Sequence, residues 1–220
     1  MSTRPLAPAR GCVLLLFLAA TPSAAQRVSV ATVRARSGQE LLGRPRGSAV
    51  SLALPIRGRV GIALSVERLR SEQNGVGIVC GGLINPDRCP IEPYDQTGHL
   101  SLTAIGADVR LVRLSVAEVA VQPQISWGKA KTSARGHDTG NRLASEKGQL
   151  GFSAGLELRL TPVRRLPLDF VLGAASGWVG PIKNAMLVDG YTPFDRWHSL
   201  RAFYVGGALA WRHGERSSAS

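Results

Sequence analysis

Eight stretches of the chain alternate bulky apolar residues with small or polar ones at a spacing of two. In the last, Leu200 to Trp211, Phe203, Val205, Leu209 and Trp211 share one face, and Ala202, Tyr204, Gly206, Ala208 and Ala210 share the other. Strand side chains point alternately to opposite faces, so this spacing predicts a β-strand. A soluble sandwich would bury the bulky face and put charges on the other. Here the second face is nearly all small, which suits a crowded barrel interior with the bulky face turned to lipid.

The remaining segments repeat the design. Arg27 to Ser37 is the weakest, because Val28, Val30 and Val33 do not settle its phase. Ser48 to Ile56 sets Val50, Leu52, Leu54 and Ile56 against Ala49, Ser51 and Ala53. Val60 to Arg70 sets Val60, Ile62, Leu64 and Val66 against Gly61, Ala63, Ser65 and Glu67. His99 to Val112 turns Ile105, Ala107, Val109 and Leu111 outward, and Ala104, Gly106, Asp108 and Arg110 inward. Glu118 to Lys129 opposes Val119, Val121, Ile125 and Trp127 to Ala120, Gln122, Gln124 and Ser126. Pro123 interrupts that segment and weakens its ladder unless a bulge absorbs it. Gln149 to Thr161 has the clearest pattern, Leu150 to Leu160 outward and Gly151, Ser153, Gly155, Glu157 and Arg159 inward. Leu168 to Val179 turns Phe170, Leu172, Ala174 and Trp178 outward.

Connections between segments run long, short, long, short, long, short, long. The long ones span 38–47, 71–98, 130–148 and 180–199, and the tight turn at Arg57-Gly58-Arg59 typifies the short ones. An antiparallel up-and-down barrel then carries every short turn at one end and every long loop at the other. Trp127 and Trp178 fall at the long-loop end and Trp211 at the short-turn end, where aromatic girdles sit. The expected fold is all-β: an eight-stranded antiparallel up-and-down transmembrane β-barrel.

The chain has 220 residues, enough for one domain. Residues 1–25 combine a basic start (Arg4, Arg10), an apolar run from Cys12 to Ala20 and the small-residue site Ser23-Ala24-Ala25. That is the pattern of a cleaved secretory signal peptide. The expected division is therefore signal 1–25, barrel 26–212 and polar tail 213–220. Two cysteines remain after the signal, Cys80 and Cys89, and export favours a disulfide between them as a loop staple. No apolar run of transmembrane-helix length follows residue 25. The net charge is +12, and losing Arg4 and Arg10 leaves +10. Export argues against nucleic acid as the partner of that charge and for anionic lipid phosphates.

With these features the chain resembles the small eight-stranded outer-membrane barrels, the group of the OmpA transmembrane domain and OmpX. The last strand carries a sharper likeness: Tyr204, Gly206, Leu209 and Trp211 resemble the terminal signal read by the barrel-insertion machinery. The chain departs from that signal by continuing from Arg212 to Ser220. The resemblance implies a Gram-negative outer membrane, with its lipid and lipopolysaccharide and the insertion machinery as partners. It also implies a monomer. The competing architecture is a secreted lipocalin-like barrel, which would turn the Leu, Phe and Val faces inward around a ligand.

Glu67, Asp108, Arg110, Glu157 and Arg159 share the inward phase. Charges inside a narrow barrel must pair, so a salt-bridge network filling the lumen is expected, with a small ion path as the alternative. His99 and Ser101 share one face and resemble the His-x-Ser pair of outer-membrane lipid A deacylases, but no acidic third member is evident. His137, His198 and His213 show no metal-ligand spacing, and no cofactor motif is present. Lys129, Lys131, Arg135, Arg142 and Lys147 outweigh Asp138 and Glu146 around the third long loop, which suits an ordinary solvated loop as well as contact with lipopolysaccharide phosphates or an acidic partner. The sequence thus favours a structural or surface-interaction barrel over a pore or an enzyme.

Overall fold

The computed structural model describes residues 26–37, 44–79, 90–163, 166–182 and 196–211. Residues 1–25, where a signal peptide is expected, Cys80, Cys89 and the expected tail 213–220 lie outside the described residues. Eight strands, β1 (Gln26–Ser37), β2 (Arg46–Arg57), β3 (Val60–Ile78), β4 (Ile91–Arg113), β5 (Ala117–Gly136), β6 (Arg142–Leu160), β7 (Leu168–Ile182) and β8 (Arg196–Trp211), follow in order. Each pairs antiparallel with its sequence neighbours, and the ring closes between β1 and β8. That closing register runs from Gln26↔Trp211 to Ser37↔Leu200.

The closing strand resolves its phase in a way its valines alone do not show. Val28 and Val30 face out, whereas Val33 turns in and packs with Leu69, Leu100 and Val179. Elsewhere the inward and outward sets follow the alternation: Phe203, Phe170, Leu156 and Ile125 are exposed, while Ala63, Ala120, Val171 and Ala208 are buried. Pro123 needs no bulge. Pairing of β4 with β5 lapses beside it and resumes in the same register at Val109↔Val121. The bulge lies lower, between Arg110 and Val112.

Two of the expected long loops are mostly sheet. β3 and β4 stay paired up to Ile78↔Ile91, and β5 and β6 up to Arg135↔Arg142. The four middle strands therefore rise well above the ends of β1, β2, β7 and β8. Their composition hides this, since Gly, Asn, Gln and Thr replace the apolar members of the alternation. Short turns need backbone freedom where the chain reverses, and Gly58 (φ 58°) supplies it between β2 and β3.

Candidate functional site in the lumen and on the outer face

The lumen is stacked in layers. The lowest centres on Arg159, which is 1 % exposed and projects from β6 beneath Glu157. Its Nη1 donates to Asp108 Oδ2 at 3.1 Å and Glu118 Oε1 at 2.7 Å. Its Nη2 donates to Asp108 Oδ1 and its Nε to Glu157 Oε1. Arg27 joins from β1, donating to Glu118 Oε1 at 3.1 Å and Asp169 Oδ2 at 3.1 Å. Thr161 donates to Asp169 Oδ1 at 2.6 Å. One guanidinium thus ties β4, β5 and β6 together, and a second ties β1 to β5 and β7.

This set differs from the five charges read off the sequence. Asp108, Glu157 and Arg159 meet. Arg110 only approaches Glu118, at 3.9 Å. Glu67 takes no part, because its register partners Ala49 and Leu102 hold it higher in the barrel. Arg27, Glu118 and Asp169 complete the layer instead. Their parity was a usable signal for two of them: Glu118 shares the phase of Gln122, and Asp169 that of Val171. Arg27 sits on the strand whose phase the sequence leaves open.

Above this layer lies a polar space lined by Glu67, Ser65, Gln124, Ser153 and Tyr204. Gly173 makes room there, since a Cβ on it would collide with the Tyr204 ring. Higher still, Val33, Ala35, Leu69, Leu100, Ala130 and Val179 form an apolar layer. At the top of the middle strands the buried Glu92 carboxylate accepts the backbone N–H groups of Asp138 and Thr139, both at 2.8 Å, and the Thr139 hydroxyl at 2.5 Å. Gly136 leaves the space for that carboxylate. These hydrogen bonds, chiefly those of Thr139, hold the Glu92 carboxyl below the usual glutamate range.

On the outside, the apolar set of β6 runs from Leu160 to Leu150. The ten steps between them, at ~3.3 Å each, span about 33 Å, and a tilt of ~40° reduces this to roughly 25 Å, the height of a barrel's lipid band. Trp127, Trp178 and Trp197 stand exposed along its upper edge, with Phe152 and Trp197 ring centroids 6.4 Å apart. Trp197 lay in an expected loop. The side chain of Trp211 lies outside the described residues. Above the tryptophans a row of exposed residues faces across successive strands: Arg34↔Arg46, Arg46↔Arg70, Arg70↔His99 and His99↔Lys131. Arg36↔Arg201 extends it across the closure, and Arg68 and Lys129 flank Ser101 just below. Glu72 pairs with Arg70 at 2.7 Å and Glu146 with Lys129 at 2.9 Å. Of the other basic loop residues, Arg135 and Arg142 face each other outward, while Lys147 has the inward phase.

His99 and Ser101 therefore sit within this basic row. Two residues along one strand place them about 6.5–7 Å apart by strand rise. Among the described residues no carboxylate contacts His99, so nothing orients it as a base.

No protein-family model and no curated protein matches the chain. Solved structures do. A major outer membrane protein of Thermus thermophilus superposes with a TM-score of 0.51 at 14 % identity, covering 84 % of this chain and 99 % of that one. The fold is that of a small outer-membrane β-barrel. Neisserial surface protein A (TM-score 0.48, 11 % identity, 86 % and 97 % covered) and Ail of Yersinia pestis (0.45, 15 %, 86 % and 97 %) are further matches to this barrel.

Two outcomes follow from the barrel's interior. Arg159→Met takes the cation from Asp108 and Glu157, leaves Glu118 with Arg27 alone, and should lower stability by about 3–5 kcal/mol in urea unfolding. Arg110→Met should cost measurably less, and equal losses would contradict the layer's geometry. For Glu92 the folded carboxyl titrates below its unfolded value. Its contribution is full above the ordinary glutamate pKa and lost as pH falls through the lowered one. Amide exchange at Asp138 and Thr139 should be protected at neutral pH and lose protection in that acid window. Glu92→Ala should be unprotected throughout, and pH-independent protection in both proteins would exclude the role.

Proposed function

We propose that the barrel resides in a Gram-negative outer membrane as a structural or surface-interaction protein, with its outward cations against lipopolysaccharide phosphates. The observation that carries this reading is the register of the basic row. Like charges directly opposite on neighbouring strands destabilise a sheet. Here Arg34, Arg46 and Arg70 face one another on three strands, just above an apolar band of bilayer height. Glu72 and Glu146 offset only Arg70 and Lys129, and anionic headgroups at that level supply counter-charge for the rest, whereas a lipocalin-like protein in water has no use for such a row. The short turns then face the periplasm and the tall β3–β6 wall faces outside. In this reading β8, with Tyr204 to Trp211, is the strand presented to the insertion machinery.

The lumen reads as closed. The Arg159 layer and the apolar layer support that reading, so this proposal carries no conducting path. His99 reads as a member of the basic row rather than a catalytic base, because cations flank it and no carboxylate among the described residues orients it.

The test has two parts. Cell fractionation should place the protein in the outer membrane with heat-modifiable gel mobility; a soluble periplasmic protein would end the reading. The purified barrel should bind lipopolysaccharide with an affinity that falls as salt rises. Replacing Arg34, Arg46, Arg70 and Lys131 by Gln should weaken binding at least tenfold and flatten the salt dependence. Unchanged binding would remove the basic row from the account.

A further inference from the structure

Glu67 projects into a cavity in mid-lumen of about 50 Å³. A second space of about 50 Å³ adjoins it and shares Glu67, Gln124, Ser153 and Ala202. Glu67 makes no hydrogen bond or ion pair among the described residues. The donors of Arg159 are spent on other carboxylates below it. A carboxylate half-buried in a narrow lumen with no counter-charge is disfavoured in its charged form. Protonation offsets that cost, and so does a cation in the cavity, with the surrounding groups deciding what is held there.

The neighbouring amides indicate what. Gln122 Nε2 donates downward to Asp108 Oδ1 at 3.0 Å, and Gln124 Nε2 donates to Gln122 Oε1 at 3.4 Å. Both amide nitrogens are thereby directed toward the ionic layer. Gln124 Oε1 is left to accept from the Ser65 hydroxyl, at 3.3 Å, beside Glu67. On the opposite wall the Ser29 and Ser51 hydroxyls bond each other. The cavity thus collects oxygen atoms, and among the described residues no cationic side chain lines it.

We propose that the Glu67 cavity binds a monovalent alkali cation. One uncommitted carboxylate matches one positive charge. Carboxylate, amide and hydroxyl oxygens suit a hard ion, and there is no His or Cys in the lining for a softer metal. A water needs ~10–15 Å³ of such space, so the ion can keep a few of its waters. The site lies between the Arg159 layer and the apolar layer, and the bound ion neutralises a lumen carboxylate that the arginines do not reach.

The experiment compares thermal unfolding of the folded barrel in detergent at neutral pH, in sodium or potassium chloride and in N-methyl-D-glucamine chloride of equal ionic strength. The bulky organic cation cannot enter. The alkali salts should raise the midpoint by about 3–5 °C, saturating with concentration. Glu67→Gln should retain heat-modifiable mobility but lose the response, and Gln124→Met should weaken it and so provide a second reading should Glu67→Gln fail to fold. Equal midpoints for the wild-type protein in both salts would overturn the proposal. So would an alkali response that survives in both variants. An infrared band of a protonated carboxylic acid at neutral pH, absent from Glu67→Gln, would also overturn it, because Glu67 would then be neutral without an ion.

Discussion

The pairing of β1 with β8 is the constraint on which everything else rests. An open eight-stranded sheet in a bilayer would expose two rows of N–H and C=O groups where no water can satisfy them. Twelve register pairs from Gln26↔Trp211 to Ser37↔Leu200 remove both edges. Closure then divides every strand into a lumen half and an outer half. From that point the side chains have little choice: small and polar ones crowd inside, and Leu, Val, Phe and Trp cover the outside.

Closure also explains the lumen's chemistry. A narrow interior brings charges from distant strands within hydrogen-bonding distance, and the dry setting requires each to find a partner. Arg159 meets this demand with three carboxylates from three strands. Arg27 extends the layer to β1 and so to the closing seam itself. The same register that gathers these groups separates Glu67 from them, leaving it in the cavity above.

Alternation in the sequence made the strand number, the topology and most inward and outward assignments legible. What it could not reveal is height. Glu67 and Asp108 share an inward phase, but only the stagger between strands tells that they lie in different layers. Register likewise turns Arg34, Arg46 and Arg70 from scattered surface charges into one row. The upper halves of β3 to β6 escaped notice for a different reason. Once above the apolar band their outward positions carry Glu72, Asn74, Asp95 and Thr97, so period two no longer shows as a hydrophobic contrast. Backbone pairing continues there because hairpin partners are already in register, not because the side chains demand it.

The central claim is that the bulky face of each strand touches lipid and the small face lines a closed lumen. Spin labels placed one at a time from Gly151 to Leu160 in the vesicle-embedded protein test it most directly. The account predicts oxygen accessibility that alternates with period two, high at Phe152, Ala154, Leu156 and Leu158. Labels at Gly151, Ser153, Gly155 and Glu157 should be shielded from both oxygen and a water-soluble nickel reagent. High nickel accessibility at the even positions, or no alternation at all, would contradict it.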